Sequence, residues 1–116
     1  MQLNNQIAVV TGVSKGIGLE VVKLLIEKGT VVAGWGRNAP DFQHENFHFF
    51  TCDVSKEDSV ENAFQETTGK LGTDIRILVN NAGFGVAGDT ETFSTEDWKA
   101  MFDTNVHGIF YTVKRL

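Results

Sequence analysis

Eight consecutive residues, Thr11-Gly12-Val13-Ser14-Lys15-Gly16-Ile17-Gly18, place three glycines between a short apolar run and an amphipathic stretch. A residue without Cβ lets peptide N–H groups come close to a ligand, and a helix starting in such a turn adds unpaired amides and about half a positive charge. Anions are favoured there, a pyrophosphate above all. Glycines also serve simply to turn a chain, so the motif counts only in context. Here an apolar strand precedes it, a helix follows, and a second strand ends near Arg37. Gly12, Ser14, Lys15, Gly16, Ile17 and Gly18 are therefore candidate contacts to a bound dinucleotide.

The end of the second strand bears on which dinucleotide. A carboxylate there would hydrogen-bond a free ribose 2′-hydroxyl, whereas a 2′-phosphate needs a cation. The chain reads Gly34-Trp35-Gly36-Arg37-Asn38, with no acidic residue in that stretch. Arg37 offers a planar fork for phosphate, and Lys15 stands in the glycine turn within reach of the same group. NADP(H) is expected in preference to NAD(H). The alternative is that both are ordinary solvated surface charges.

Strands and helices must alternate to hold these groups. Residues 7–10 form an apolar run, and Ile17, Val21, Val22, Leu25 and Ile26 then recur at helical spacing on one side. Gly29 suits the end of that helix, and residues 31–35 have the β-branched opening of a buried strand. Residues 47–52 are a third strand candidate. Ser55-Lys56-Glu57-Asp58 then reads as a capping pattern for a helix over about 56–68. Residues 75–79 are a fourth strand, followed by a glycine-containing loop through Gly88, a second capping pattern at Ser94-Thr95-Glu96-Asp97, and a last helix. Near-continuous apolar strands alternating with helices imply an α/β fold with a doubly wound parallel sheet, Rossmann-like, in one domain over residues 1–116.

Composition narrows the partners. Ten Lys plus Arg against fifteen Asp plus Glu give a net charge of −5, which disfavours nucleic acid and anionic membrane surfaces. The apolar stretches are far shorter than the roughly 20 residues that span a bilayer, and no basic segment and apolar core open the chain, so a cytoplasmic location is expected. The one cysteine, Cys52, permits no internal disulfide and reads as a small buried residue. His44 and His48 fall in a loop-to-strand stretch rather than on one helix, and no metal site is expected.

Asn80-Asn81-Ala82-Gly83 after the fourth strand, Asp53-Val54 after the third, and Asn105-Val106-His107-Gly108-Ile109-Phe110 in the last helix join the glycine turn in a fixed order. Together they resemble the short-chain dehydrogenase/reductase family from about Ile7 to the chain end. The resemblance implies hydride transfer between a nicotinamide and a carbonyl or alcohol, and four parallel strands in the order 3-2-1-4. It implies that Asp53 and Val54 meet the adenine ring and that Asn80, Ala82 and Gly83 lie along the adenine ribose and the central sheet. Asn105 corresponds to the family's active-site asparagine; an asparagine inside a helix is mildly unfavourable, which is a physical reason to expect a task for it. One departure is that Arg76 stands where the family commonly has an acidic residue, with Asp74 further upstream.

The family's catalytic serine, and its tyrosine with a lysine four residues later, have no counterpart in these 116 residues. The only tyrosine, Tyr111, is followed by Lys114 and Arg115 at three and four, and it is expected to pack on a helix rather than donate a proton. The resemblance therefore implies a truncated, cofactor-binding portion that is inactive alone. A non-catalytic nucleotide-binding or self-association module is the competing reading. Trp98, Met101, Phe102, Val106, Ile109, Phe110 and Val113 give the last helix more apolar surface than solvation favours. The outer edge of the fourth strand is expected to be open. A homo-oligomer through that helix or edge is expected.

Overall fold

A computed structural model describes residues 2–83 and 94–116. The loop through Gly88 and the side chain of Met101 lie outside the described residues. The elements are β1 (Ile7–Thr11), α1 (Gly16–Glu27), β2 (Val31–Gly36), β3 (Phe47–Thr51), α2 (Glu57–Leu71), β4 (Ile75–Val79), α3 (Thr95–Phe102), a π-helical turn (Asp103–His107) and α4 (Gly108–Arg115). All strand pairs are parallel and the order is β3-β2-β1-β4. This is the expected doubly wound, Rossmann-like layout.

The register explains the core. Alternate side chains of β1 go to opposite faces, and both faces are covered. Val9 joins Ala33, Trp35, Phe50, Val60 and Ala63 beneath α2, while Val10 joins Val13, Val22, Ile26 and Val32 beneath α1. Trp35 is wholly buried, and its indole N–H donates to Thr67 Oγ1 at 2.9 Å. Thr67 Oγ1 in turn donates to Ala63 O, so the one polar atom of the ring is satisfied inside the core.

Several boundaries differ from the sequence expectation. The stripe of α1 that is buried is Gly18, Val22 and Ile26, whereas Ile17 is 76% exposed. Gly18 has no side chain and lets the helix sit against the preceding turn, which rotates Ile17 outward. The chain leaves α1 through Gly29, whose N–H donates to Ile26 O while Thr30 N donates to Leu25 O. β3 stops at Thr51, and α2 runs on to Leu71 rather than ending near Thr68. Ser55 does not cap α2. Lys56 takes the cap position without a side-chain bond, and Glu57 and Asp58 place negative charge on the first turn instead. Ser94 does cap α3, accepting from Asp97 N at 3.0 Å. The last helix is not uniform, because a π-helical turn separates α3 from α4 and contains Asn105.

Candidate functional site

The carboxyl ends of the four strands open into one cleft of about 570 Å³. It lies beside β1, where the strand order reverses, the usual position for a ligand in an open parallel sheet. The turn after β1 supplies Gly12 to Gly16, the end of β2 supplies Trp35 to Asn38, the segment after β3 supplies Cys52 to Val54, and Asn81 to Gly83 follow β4. Thr104 closes one side from the π-helical turn.

The glycine turn is fastened from below. Gly12 N donates to Trp35 O at 2.9 Å, and the Val13 side chain is wholly buried. Thr11 Oγ1 accepts from Asn81 N at 3.0 Å and from Ala82 N at 2.9 Å, while Asn81 Nδ2 donates to Gly12 O at 2.9 Å. A Cβ on Gly12 would stand 2.9 Å from the backbone of Ala82, and one on Gly18 would stand 2.0 Å from Gly12 O. Those two glycines are required by close approach. Gly16 is different: its φ of +65° calls for glycine, and nothing lies within 4 Å of where its Cβ would be.

Above this base the helix end is bare. Lys15 holds the cap position of α1 in extended backbone, makes no side-chain cap, and no acidic residue lies in the first turn. The peptide N–H groups of residues 14–17 have no acceptor among the described residues. Uncapped amides at a helix amino end, next to an open glycine, form a cradle for an oxyanion. Lys15 and Arg37 are both exposed on the rim, so the local charge is positive although the chain is acidic.

Asp53 sits opposite. Its Oδ1 accepts from Ser55 N at 3.0 Å and from Ser55 Oγ at 2.6 Å, and its own N–H donates to Ser59 Oγ at 2.9 Å. Partial burial pushes its carboxyl upward, but the two Ser55 bonds with Arg37 and Lys56 outweigh this and hold it below the ordinary value. Beside it, burial pushes the Cys52 thiol up to about 11, with Asp53's charge acting in the same direction and Ser59's hydroxyl opposing.

Of the residues singled out from sequence, Gly12, Ser14, Lys15, Gly16, Arg37, Asn38, Asp53, Val54, Ala82 and Gly83 line the cleft. Ile17 and Gly18 belong to the helix start behind it, and Asn80 is exposed at the end of β4. Asn105 does not line the cleft, yet its Oδ1 lies 2.8 Å from where a Cβ on Gly83 would stand, so it abuts the wall. Val13, Trp35, Gly36, Cys52 and Thr104 were not anticipated as lining residues, and Asn81 was anticipated only as part of the Asn80-to-Gly83 segment. Asn81 carried a signal, being inside a quoted motif; Thr104 is visible only once the π-helical turn brings it round. Tyr111 packs against the core beneath α2, and Lys114 and Arg115 pair with Glu57 and Glu61 of that helix. His44 Nδ1 accepts from Asn46 N, and no three metal-ligating side chains cluster among the described residues. No helix among them is long and apolar enough to cross a membrane.

Residues 6–116 match the pattern of the family described as short chain dehydrogenase. The chain is 36% identical over 118 residues to the 3-oxoacyl-(acyl-carrier-protein) reductase FabG of Chlamydia muridarum, covering 93% of this chain and 47% of that one. The ligand-free aldohexose dehydrogenase of Thermoplasma acidophilum superposes with a TM-score of 0.91 at 29% identity, over 97% of this chain and 43% of that one. An alcohol dehydrogenase of Thermococcus sibiricus complexed with 5-hydroxy-NADP gives 0.86 at 26% identity, over 97% and 52%. The chain spans about half the length of the curated relatives it matches.

Proposed function

The chain belongs to the short-chain dehydrogenase/reductase family, and from that premise we propose that its cleft binds a nicotinamide dinucleotide, NADP(H) in preference to NAD(H), as the cofactor-binding portion of an oxidoreductase acting on a carbonyl or alcohol. The observation that carries this reading is the row of acceptor-free amides over residues 14–17 at an uncapped helix start. The diphosphate rests there, on Ser14, Lys15, Gly16 and Ile17, with Gly12 and Gly18 allowing the close packing. Arg37, Asn38 and Lys15 take the ribose 2′-phosphate. Asp53 and Val54 receive the adenine, and Asn80, Ala82 and Gly83 lie along the adenine ribose. The bound dinucleotide supplies the hydride, while the protein binds and orients it. Asn105, held against Gly83 in the π-helical turn, keeps a water near the reaction centre. Proton delivery needs a tyrosine and lysine at a spacing that these 116 residues do not contain.

Calorimetric titration tests the reading. NADPH is expected to bind more tightly than NADH, and Arg37→Ala should weaken NADPH by roughly ten- to a hundredfold, the range of a lost charge-assisted contact. NADH should be almost unaffected. Equal loss for both dinucleotides would remove the 2′-phosphate role, and no binding of either would remove the dinucleotide reading.

A further inference from the structure

The start of α2 poses a problem that the dinucleotide reading does not by itself solve. Ser55 is two residues ahead of a helix that lacks any side-chain cap, yet it contributes nothing to that helix. Both of its donors, the N–H and the hydroxyl, go to one oxygen of Asp53, at 3.0 and 2.6 Å. A serine beside bare helix amides ordinarily accepts from them, because the N–H groups of a first turn have no other partner. Here Lys56 holds the cap position, Asp58 Oδ1 accepts from Ser59 N at 2.9 Å, and Ser55 orders a carboxylate instead.

The consequence follows from the number of lone pairs. Two bonds occupy Asp53 Oδ1, Ser59 takes the Asp53 N–H, and Oδ2 has no partner among the described residues. Asp53 lines the cleft, and Ser55 and Ser59 do not. A carboxylate that stays ionised can only accept, so one fixed oxygen facing a base is complementary to an exocyclic amine and repels an exocyclic carbonyl. Its direction then matters as much as its presence, since a hydrogen bond weakens steeply with misalignment.

We propose that Ser55 is a positioning residue for base selectivity: by engaging Oδ1 twice it aims Asp53 Oδ2 into the cleft, so that the site accepts a 6-amino purine dinucleotide and rejects its 6-oxo counterpart. This rests on the dinucleotide reading above and adds to it the residue that sets selectivity at the base.

The test compares NADPH with its hypoxanthine analogue, in which a 6-oxo group replaces the 6-amino group and N1 carries a hydrogen, by calorimetry on the whole chain. Wild type should prefer NADPH, and Asp53→Asn, whose amide can turn to donate, should erase the preference. Ser55→Ala, which removes the hydroxyl bond and keeps the backbone one, should shrink the preference by about three- to tenfold, the scale of one oriented hydrogen bond to a charged group, mostly through weaker NADPH binding. Ser55→Thr, which keeps the hydroxyl, should restore it. A residue needed only for folding would lower both affinities together and leave their ratio unchanged. Circular dichroism checks that each variant is folded; should Ser55→Ala fail that check, Ser55→Cys removes the strong donor at nearly constant size. A wild type that binds both analogues equally, or a Ser55→Ala chain with an undiminished ratio, overturns the inference and leaves the dinucleotide site standing. A wild type that binds neither overturns both.

Discussion

Single residues around the cleft differ in kind, and Cys52 shows how. It lines the cleft, but only 2% of it is exposed, and its thiol is pushed up to about 11. At pH 8 the thiolate fraction is then about 0.001, against roughly a tenth for an unfolded thiol near 9.0, so reaction with iodoacetamide should be on the order of a hundredfold slower in the native chain than in urea. Comparable rates would mean that the strand end opens readily. The sign of the linkage follows from the same shift. The folded state holds this proton more tightly than the unfolded state, whose value is near 9.0, so the stabilisation is complete below that pH and is lost as pH rises toward about 11. Asp53 is the opposite case. Its lowered carboxyl stabilises the fold above the ordinary aspartate range, and that contribution falls away as pH drops through the folded value. Asp53 was legible only through the family resemblance, since its place after the third strand would by itself read as a cap or turn residue. The sequence did not show that Ser55 serves the carboxylate rather than the helix, because capping statistics describe isolated helix ends and not a competing acceptor two residues back.

Helices carry the next level, and two of their glycines have opposite physical meanings. Gly18 of α1 would place a Cβ 2.0 Å from Gly12 O and 2.5 Å from Asn81 Nδ2, so Gly18→Ala must push the helix away from the turn that it anchors. Gly69 of α2 would meet nothing within 4 Å. There glycine only adds freedom to the unfolded chain and weakens a helix interior. Gly69→Ala should therefore raise stability by about 0.5–1 kcal/mol, and Gly18→Ala should lower it by about 1–3 kcal/mol or more while also weakening NADPH binding. Urea melts of both variants check this; similar effects of the two would contradict the packing described at Gly18. Element types were legible because periodicity and glycine placement agreed: residues 75–79 are β4 as expected, and Ser94 caps α3. Boundaries were less so. α2 continues through Gly69 to Leu71, and its last turns are anchored by the Trp35 indole N–H donating to Thr67 Oγ1, a contact that depends on tertiary packing. The π-helical turn at Asp103–His107 has no periodic signature at all, since one extra residue in a turn leaves the apolar pattern on either side nearly unchanged.

At the scale of the whole molecule the doubly wound layout was readable from the alternation of elements and the family resemblance implied the strand order, but the surface poses a question that order does not answer. Phe110 is 60% exposed, Val113 57% and Trp98 53%, and Phe102, Val106 and Ile109 share the α3–α4 surface. Scattered exposed apolar residues are ordinary in soluble proteins, whereas a contiguous run along one helical rod is a marker of association. β4 adds to this, because it is the outermost strand among the described residues and has one neighbour, β1. A second apolar strip on α1, Ile17 and Leu24, is smaller. We therefore expect concentration-dependent self-association through α3 and α4. A charge placed in the middle of that surface should disperse the assembly, because a carboxylate cannot be taken from water into an apolar contact without a partner. Sedimentation velocity should then find wild type and a Leu24→Glu control associated at micromolar concentration, and Phe110→Glu monomeric. Phe110 does not line the cleft, so NADPH affinity should be the same in all three. A monomeric wild type would end this expectation. Loss of NADPH binding in Phe110→Glu would mean that assembly and the cofactor cleft are coupled, through the π-helical turn that carries Thr104 into the cleft wall and continues into α4.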